Sequence, residues 1–300
     1  MAISNLKYLK CNLCGSRDYK IHFKGSKEKK KTLFSATSQV YSGEQIVKCN
    51  NCSLVYINPR PFASKIIQGY SQEKESMYIK DAKTRSASFK RTLKVVKRYR
   101  KEGRLLDVGC AAGLFLKVAK DGGFDVYGIE PNKWLARWGK KNLSVKIIPK
   151  PFEETDFTSD SFDIVCFWDT LEHLTNPFLA LEKTHKILKS EGILVINFPD
   201  IDTFFAKVLG KNWWFITSGH LYYFSTKTLS QMLKKTGFEV LESHSHFQFL
   251  SLSYLLTRLG RYHQRLGETL SNYATKVGLG GIVIPYYAGQ KTIIAKRILD

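Results

Sequence analysis

A chain of 300 residues with 43% apolar side chains has the composition for a packed core, in one large domain plus a small one. It contains no run of 18 or more apolar residues, so no membrane-spanning helix is expected. The net charge of +21 is uneven, with 22 Lys and Arg against 6 Asp and Glu in residues 1–100, 13 against 15 in 101–200 and 12 against 5 in 201–300. A basic first third points to a nucleic acid, an anionic lipid surface or a phosphorylated substrate, or else to a solvated surface without a partner.

Residues 1–60 hold Cys11-x-x-Cys14 and Cys49-x-x-Cys52, two pairs separated by 34 residues, and the charge run Lys27 to Lys31. Met1 to Lys10 lacks a signal peptide's apolar stretch, so a cytoplasmic location is expected, with peripheral contact at the inner membrane surface as a variant. Thiols in that reducing compartment are more often metal ligands than disulfides. Paired Cys-x-x-Cys turns can close a tetrahedron around zinc, and four thiolates leave no open position, so a structural Zn2+ held by Cys11, Cys14, Cys49 and Cys52 is expected in a small zinc-ribbon module. Redox use of the pairs is the alternative. Cys110 and Cys166 fall in predicted core and read as small buried residues.

Residues 61–100 read as a helical basic connector, with Phe89, Leu93, Val96 and Tyr99 at helical spacing among Lys and Arg. From 101 to 300, short apolar strands alternate with amphipathic helices. Strands are predicted at Arg104–Val108, Asp125–Ile129, Val145–Ile148, Phe162–Phe167, Gly192–Phe198, Phe238–His244 and Thr292–Arg297. Helices are predicted at Gly113–Lys120, Lys133–Lys141, Pro177–Lys189 and Thr226–Thr236. Seven strands in this order suit a doubly wound α/β sheet. About forty residues, 249–288, form a helical insertion before the last strand. There Leu252, Leu255, Leu256, Leu259, Tyr262, Leu266 and Leu270 share one helical face and Arg258, Arg261, Gln264, Arg265 and Glu268 the other. That apolar face is expected to pack on its own domain, with a dimer surface or a membrane-lying helix as alternatives.

The segment Leu105-Leu106-Asp107-Val108-Gly109-Cys110-Ala111-Ala112-Gly113 reads as strand, glycine turn and helix start. Gly109 and Gly113 let the backbone turn sharply and approach a ligand. About twenty residues on, Val126-Tyr127-Gly128-Ile129-Glu130 ends a strand in an acid that can accept from both hydroxyls of a ribose. The dinucleotide fingerprint needs two further glycines where Ala111 and Leu114 stand, so a pyrophosphate is disfavoured.

At these residues the chain resembles the class I S-adenosylmethionine (SAM)-dependent methyltransferases. Three further stretches carry the resemblance: Gly128-Ile-Glu-Pro131, Ser161-Phe-Asp-Ile-Val-Cys-Phe-Trp-Asp-Thr-Leu-Glu-His-Leu174 and Leu188-Lys-Ser-Glu-Gly-Ile-Leu194. It covers residues 100–245 and the last strand, and implies a seven-stranded Rossmann-like sheet. It also implies that Asp107 and Gly109 hold the methionine end of SAM and Glu130 the ribose. Cys110, Gly113 and Pro131 flank those contacts, the loop at Pro151, Phe152 and Glu153 encloses adenine, and Trp168 and Asp169 line the sulfonium.

Residues 211–225 set Trp213, Trp214, Phe215, Tyr222, Tyr223 and Phe224 around His220, after the fifth predicted strand, where open α/β sheets bind ligands. An aromatic wall with one titratable group suits an acceptor pocket, with His220 as the base and Tyr222 beside it. The stretch is similar to the His-x-x-Tyr-Phe-Ser segment of zinc-containing sugar C-methyltransferases, which also begin with paired Cys-x-x-Cys motifs. In them a Glu-His dyad is the base; here Gly219 stands in the glutamate's place. A second candidate is His173, in Asp169-x-x-Glu172-His173, a segment similar to one linked to a divalent metal in some phenol O-methyltransferases. The function expected is methyl transfer to a nucleotide-linked sugar, glycan or related small molecule. The alternatives are an rRNA or tRNA methyltransferase that uses the basic zinc module to hold RNA, and a SAM-fold binding module without activity.

Overall fold

A computed structural model describes residues 6–26, 42–72, 78–79, 81–259 and 263–298. The run Lys27 to Lys31, and Arg261 and Tyr262, lie outside these residues. No helix among the described residues is long and apolar enough to cross a membrane.

All seven predicted strands form, and they form one sheet. In chain order they are β6 (Gly103–Val108), β7 (Phe124–Ile129), β8 (Lys146–Ile148), β9 (Phe162–Trp168), β10 (Leu188–Pro199), β12 (Phe238–Ser245) and β15 (Gln290–Arg297). The order across the sheet is β12-β15-β10-β9-β6-β7-β8, with β15 antiparallel to both neighbours and the rest parallel. The middle residues of the central strands are apolar on both faces because helices cover both faces. Leu105, Leu106, Ile164, Val165, Cys166 and Phe167 are each fully buried. Neighbouring residues face opposite layers, Leu106, Val165 and Phe167 into one core and Leu105, Ile164 and Cys166 into the other. A short helix α6 (Phe204–Leu209) follows β10, and α3 (Leu114–Asp121), α4 (Lys133–Leu143), α5 (Pro177–Ile187) and α7 (Thr226–Lys235) match the predicted helices. Asn132, Asn176 and Ser225 cap α4, α5 and α7 through their side chains.

The N-terminal segment joins the main core. Strands β1 (Leu6–Lys7) and β5 (Arg60–Pro61) pair with each other, and β2 (Tyr19–Phe23), β3 (Ile46–Cys49) and β4 (Val55–Ile57) form a sheet with β11 (Tyr222–Tyr223), which comes from beyond the fifth strand of the large sheet. Leu13, Val47, Leu54 and Tyr56 pack in the same core as Phe198, Leu229 and Phe238. The Nδ2 of Asn12, inside the first Cys turn, donates to Asn176 Oδ1 at 2.8 Å, and Phe178 N donates to Asn12 Oδ1 at 3.0 Å. Residues 61–100 supply α1 (Ala63–Gln72) and α2 (Ala82–Val96), and α2 lies on α3 and on the insertion.

The insertion is a pair of helices, α8 (Leu252–Leu259) and α9 (Gln264–Lys276), between two strands that pair with each other, β13 (Gln248–Ser251) and β14 (Val283–Tyr286). The expected packing of its leucine face is corrected here. Small residues carry the α8–α9 contact: Gly267 and Ala274 are buried, and the Ser271 hydroxyl donates to Ser253 O at 3.0 Å. Leu266 and Leu270 point outward, 54% and 38% exposed. The two helices pack on each other, so residues 252–256 and 266–270 no longer share one face.

Candidate active site

The turn after β6 is wound left-handed at alternate residues: φ is +73° at Gly109, +49° at Ala111 and +75° at Gly113. Glycine adopts this freely, whereas alanine there is strained and must be held. The hold is Glu130. Its carboxylate accepts from Ala111 N and Asn132 N, both at 2.8 Å, and it is 8% exposed. Gly109 N and Cys110 N both donate to Ile129 O, at 2.8 and 3.0 Å, tying the turn to the end of β7. A Cβ on Gly109 would meet Thr170 Cγ2 at 2.4 Å and Oγ1 at 2.5 Å. Gly109→Ala is therefore expected to lower stability by about 1–3 kcal/mol and SAM affinity about tenfold or more, seen in a thermal melt and a calorimetric titration. Asp107 is buried and its Oδ1 has no hydrogen-bond partner. Burial, and then the charge of Glu130, push its carboxyl well above the usual carboxylate range.

These groups open into a cavity of about 260 Å³ lined on the sheet side by Asp107, Gly109, Cys110, Glu130, Trp168 and Asp169, with Pro131 and Phe152 flanking. The far side is built by elements outside the sheet. From α1 comes Tyr70, from α2 Arg85 and Phe89, and from the insertion Tyr254 and Arg258. The Arg85 guanidinium lies 4.6 Å from the centre of the Tyr78 ring and donates to the Tyr254 hydroxyl at 3.0 Å. Among the described residues no carboxylate is within ion-pair distance of Arg85, and its buried Nε has no partner.

At the cavity floor, Asp169 directly follows β9 in a left-handed conformation, φ +49°. Asn197 Nδ2 and Gln290 Nε2 donate to its Oδ1 at 2.7 and 2.6 Å. Burial raises its carboxyl despite these bonds. His173 and His220 meet edge to face, ring centres 4.6 Å apart. His173 Nδ1 lies 2.9 Å from Gly219 O and 2.6 Å from the Tyr70 hydroxyl, which itself donates to Gly219 O at 2.8 Å. A lone pair on Nδ1 would face the carbonyl's lone pairs, so the geometry favours Nδ1–H and leaves Nε2 as the basic nitrogen. Burial depresses His173 to about 4. Glu172 is 1% exposed, both its carboxylate oxygens lack a partner, and burial followed by Asp169 raises its carboxyl strongly.

The four N-terminal cysteines converge. Cys11 Sγ lies 3.4 Å from Cys52 Sγ, Cys14 Sγ lies 3.5 Å from Cys49 Sγ, and all four sulfurs lie within 4.8 Å of one another. The two turns are matched: Gly15 N donates to Cys11 O at 2.8 Å and Ser53 N to Cys49 O at 3.0 Å, with φ of +73° and +67° at Gly15 and Ser53. Sulfurs at about 2.3 Å from a shared zinc ion sit at comparable separations, so the cluster fits the metal.

Tyr222 needs correction. It does not line the cavity: it stands in the small sheet, and its hydroxyl accepts from Arg60 at 3.1 Å and donates to Thr175 O at 3.3 Å. Trp213, Tyr223 and Phe224 are likewise core residues, and from the expected aromatic wall only Trp214 and Phe215 reach the cavity. Gly113 also lies off the cavity wall; a Cβ there would meet Val145 at 2.9 Å, so its role is close packing on the third strand. The sequence reading missed Tyr70, Arg85, Tyr254, Gln290 and His246. The last is half-buried beside Trp168, with ring centres 6.4 Å apart, and desolvation depresses it to about 4. Nothing in the local sequence pattern marks these residues, because the fold alone brings them to the cavity.

The sequence profile of a family described as a methyltransferase domain matches residues 80–243. The chain belongs to this family. It is a SAM-dependent methyltransferase. It is 28% identical over 156 residues to an uncharacterised protein of Methanocaldococcus jannaschii, covering 50% of this chain and 72% of that one. It is 33% identical over 98 residues to the ubiquinone biosynthesis O-methyltransferase of Rhodopseudomonas palustris strain TIE-1, covering 31% of this chain and 38% of that one, well under half the relative's length. Among solved structures, a SAM-dependent methyltransferase of Thermotoga maritima superposes with a TM-score of 0.50 at 22% identity, covering 74% of this chain and 94% of that one. The YcgJ protein of Bacillus subtilis gives 0.51 at 16%, covering 71% and 99%. The latter two likenesses concern the fold. The methyltransferase's turn and buried acids fit SAM: a glycine cradle that a Cβ would fill, and an orphaned carboxyl oxygen on Asp107 able to meet a cationic group.

Proposed function

We propose that the methyltransferase moves a methyl group from SAM to an oxygen of a small, ring-bearing acceptor with an anionic group, best a nucleotide-linked or lipid-linked sugar. SAM supplies an electrophilic methyl on sulfur. Asp107 and the Gly109 amide hold its methionine end and Glu130 its ribose. Pro131 and Phe152 flank the adenine, and Trp168 and Asp169 line the reacting end. The cluster of Glu172, His173 and His220 positions the acceptor oxygen and handles its proton. Direct displacement at a methyl carbon demands mostly alignment and exclusion of water, and α1, α2 and the insertion provide that cover.

The observation that carries the acceptor class is Arg85, a guanidinium in an aromatic chamber with no carboxylate of the described residues within ion-pair distance. Such a group suits a phosphate or carboxylate, and the surrounding rings suit a sugar or base face. Transfer to carbon would need a stronger base than this site holds, since Gly219 replaces the glutamate of the sugar C-methyltransferases it resembles. The O-methyltransferase relatives agree in acceptor atom. In this reading residues 1–60 form a module built on a structural zinc ion, 61–100 close the pocket and 101–300 carry the chemistry.

Turnover across a panel of nucleotide sugars, polyprenyl-linked sugars and phenols tests the reading, with Arg85→Leu alongside wild type. Losing one charge-assisted bond of about 1.5–3 kcal/mol should raise the acceptor KM roughly ten- to a hundredfold while kcat changes by only a few fold. Transfer to rRNA or tRNA with salt-sensitive retention on a filter, and none to the panel, would replace this acceptor class by RNA.

A further inference from the structure

We infer that α9 is a docking helix for an anionic lipid bilayer, laid on it by an exposed apolar row and the cations beside that row. Leu266, Leu270 and Tyr273 recur at helical spacing, and Val277 N donates to Tyr273 O at 3.0 Å, so the row runs one turn past the helix end. Leu279 and Ile282, in the turn that follows, extend it. All six side chains are 38–66% exposed. The contact with α8 does not use them, because Gly267, Ser271 and Ala274 make it from another side of α9. A continuous apolar row left in water marks an interaction surface.

Charge decides what covers the row. Arg265 and Lys276 stand three helical turns apart, so both fall along one edge of it, and both are exposed. Among the described residues neither is within ion-pair distance of a carboxylate. Residues 249–288 hold four Arg and Lys against one Glu, in a chain of net charge +21. An interfacial helix binds in this way: its apolar row sinks to the acyl boundary while long cationic side chains reach the negative headgroups. Tyr273, the most exposed of the six, has a ring and a hydroxyl suited to the headgroup level. A second copy of the chain fits less well. A two-fold contact through this row would set cations on both sides of the seam, with one glutamate per insertion to offset them. A stable homodimer also engages roughly 20–30 residues a side.

This surface goes beyond the transfer reading and does not depend on the acceptor. Helix α8, packed on α9, sends Tyr254 and Arg258 into the cavity wall. Docking by α9 therefore ties that wall to the lipid surface, one helix away.

Flotation of the full chain, purified with zinc, with lipid vesicles tests the surface. Vesicles of mixed phosphatidylcholine and phosphatidylglycerol should retain the methyltransferase, phosphatidylcholine alone about tenfold less, and raised salt should release it. Arg265→Gln should weaken retention about fivefold, the effect of one cation near an anionic surface. Leu270→Glu combined with Tyr273→Glu should weaken it about tenfold or more. Leu179→Glu is the control, exposed on α5 across the large sheet from α2, and should change nothing. Calorimetric SAM binding at wild-type affinity shows that each variant keeps its fold. No retention by the mixed vesicles, or retention untouched by the α9 variants, overturns the docking surface. So does a stable dimer in light scattering that the double variant splits, which gives the row to a second copy. Turnover of soluble nucleotide sugars without vesicle retention removes the surface and leaves the transfer reading intact. Retention as expected, with no acceptor of the panel methylated, upholds the surface and removes the acceptor class instead.

Discussion

Glu130→Ala is expected to weaken SAM binding at least a hundredfold. A carboxylate that accepts from both ribose hydroxyls makes two charge-assisted bonds, each worth about 1.5–3 kcal/mol, and 1.4 kcal/mol is tenfold in affinity. The same carboxylate holds Ala111 N and Asn132 N at 2.8 Å, so its loss also frees the left-handed turn that shapes the cradle. Glu130→Gln separates the two effects. Its amide oxygen still accepts one bond but carries no charge, so it should fall between wild type and alanine. Calorimetric titration with SAM reads the affinities, and far-ultraviolet dichroism with a thermal melt reports whether the sheet persists. Wild-type affinity in the alanine variant would remove the ribose assignment.

The second large effect is expected at the cysteines. Cys49→Ser should lose the zinc ion, leave residues 6–61 open to protease and lower the melting temperature. Structural zinc in small modules contributes about 10–16 kcal/mol, which matches or exceeds the stability of a whole domain. Here the loss should travel further. Strand β4 pairs with Tyr222–Tyr223, and Ile57 N donates to Leu221 O at 3.0 Å, next to His220. Turnover should therefore fall with the zinc content, although no cysteine of the four lines the cavity. Cys166→Ala, in the centre of β9, is the control and should keep its zinc. A Cys49→Ser protein with a full complement of zinc would contradict the four-thiolate assignment.

The large sheet was legible because its signals are local. Runs such as Ile164–Phe167 and Ile193–Ile196 are apolar at every position, which only a strand covered on both faces tolerates. The Gly109 turn and the acid at Glu130 were legible for a related reason, since left-handed φ and a strand-ending carboxylate have few other uses. The aromatic segment 213–224 misled. Its rings alternate between core and cavity, and composition does not say which way each one points. The insertion misled in the same way. Its leucines fit one helical face only if the segment is a single helix; it forms two, α8 and α9, and glycine, serine and alanine make the contact between them.

The order of strands and helices, the glycine turn with its two acids, and the paired cysteines follow from residues close in the chain, whose spacing alone constrains the backbone. The roof over the cavity was decided by tertiary structure. Arg85 and Tyr254 meet across 169 residues, and Glu172, His173 and His220 meet across a sheet crossover. Their chemistry depends on burial and on which groups are left without partners. Those properties arise when distant segments exclude water together, so no local pattern encodes them.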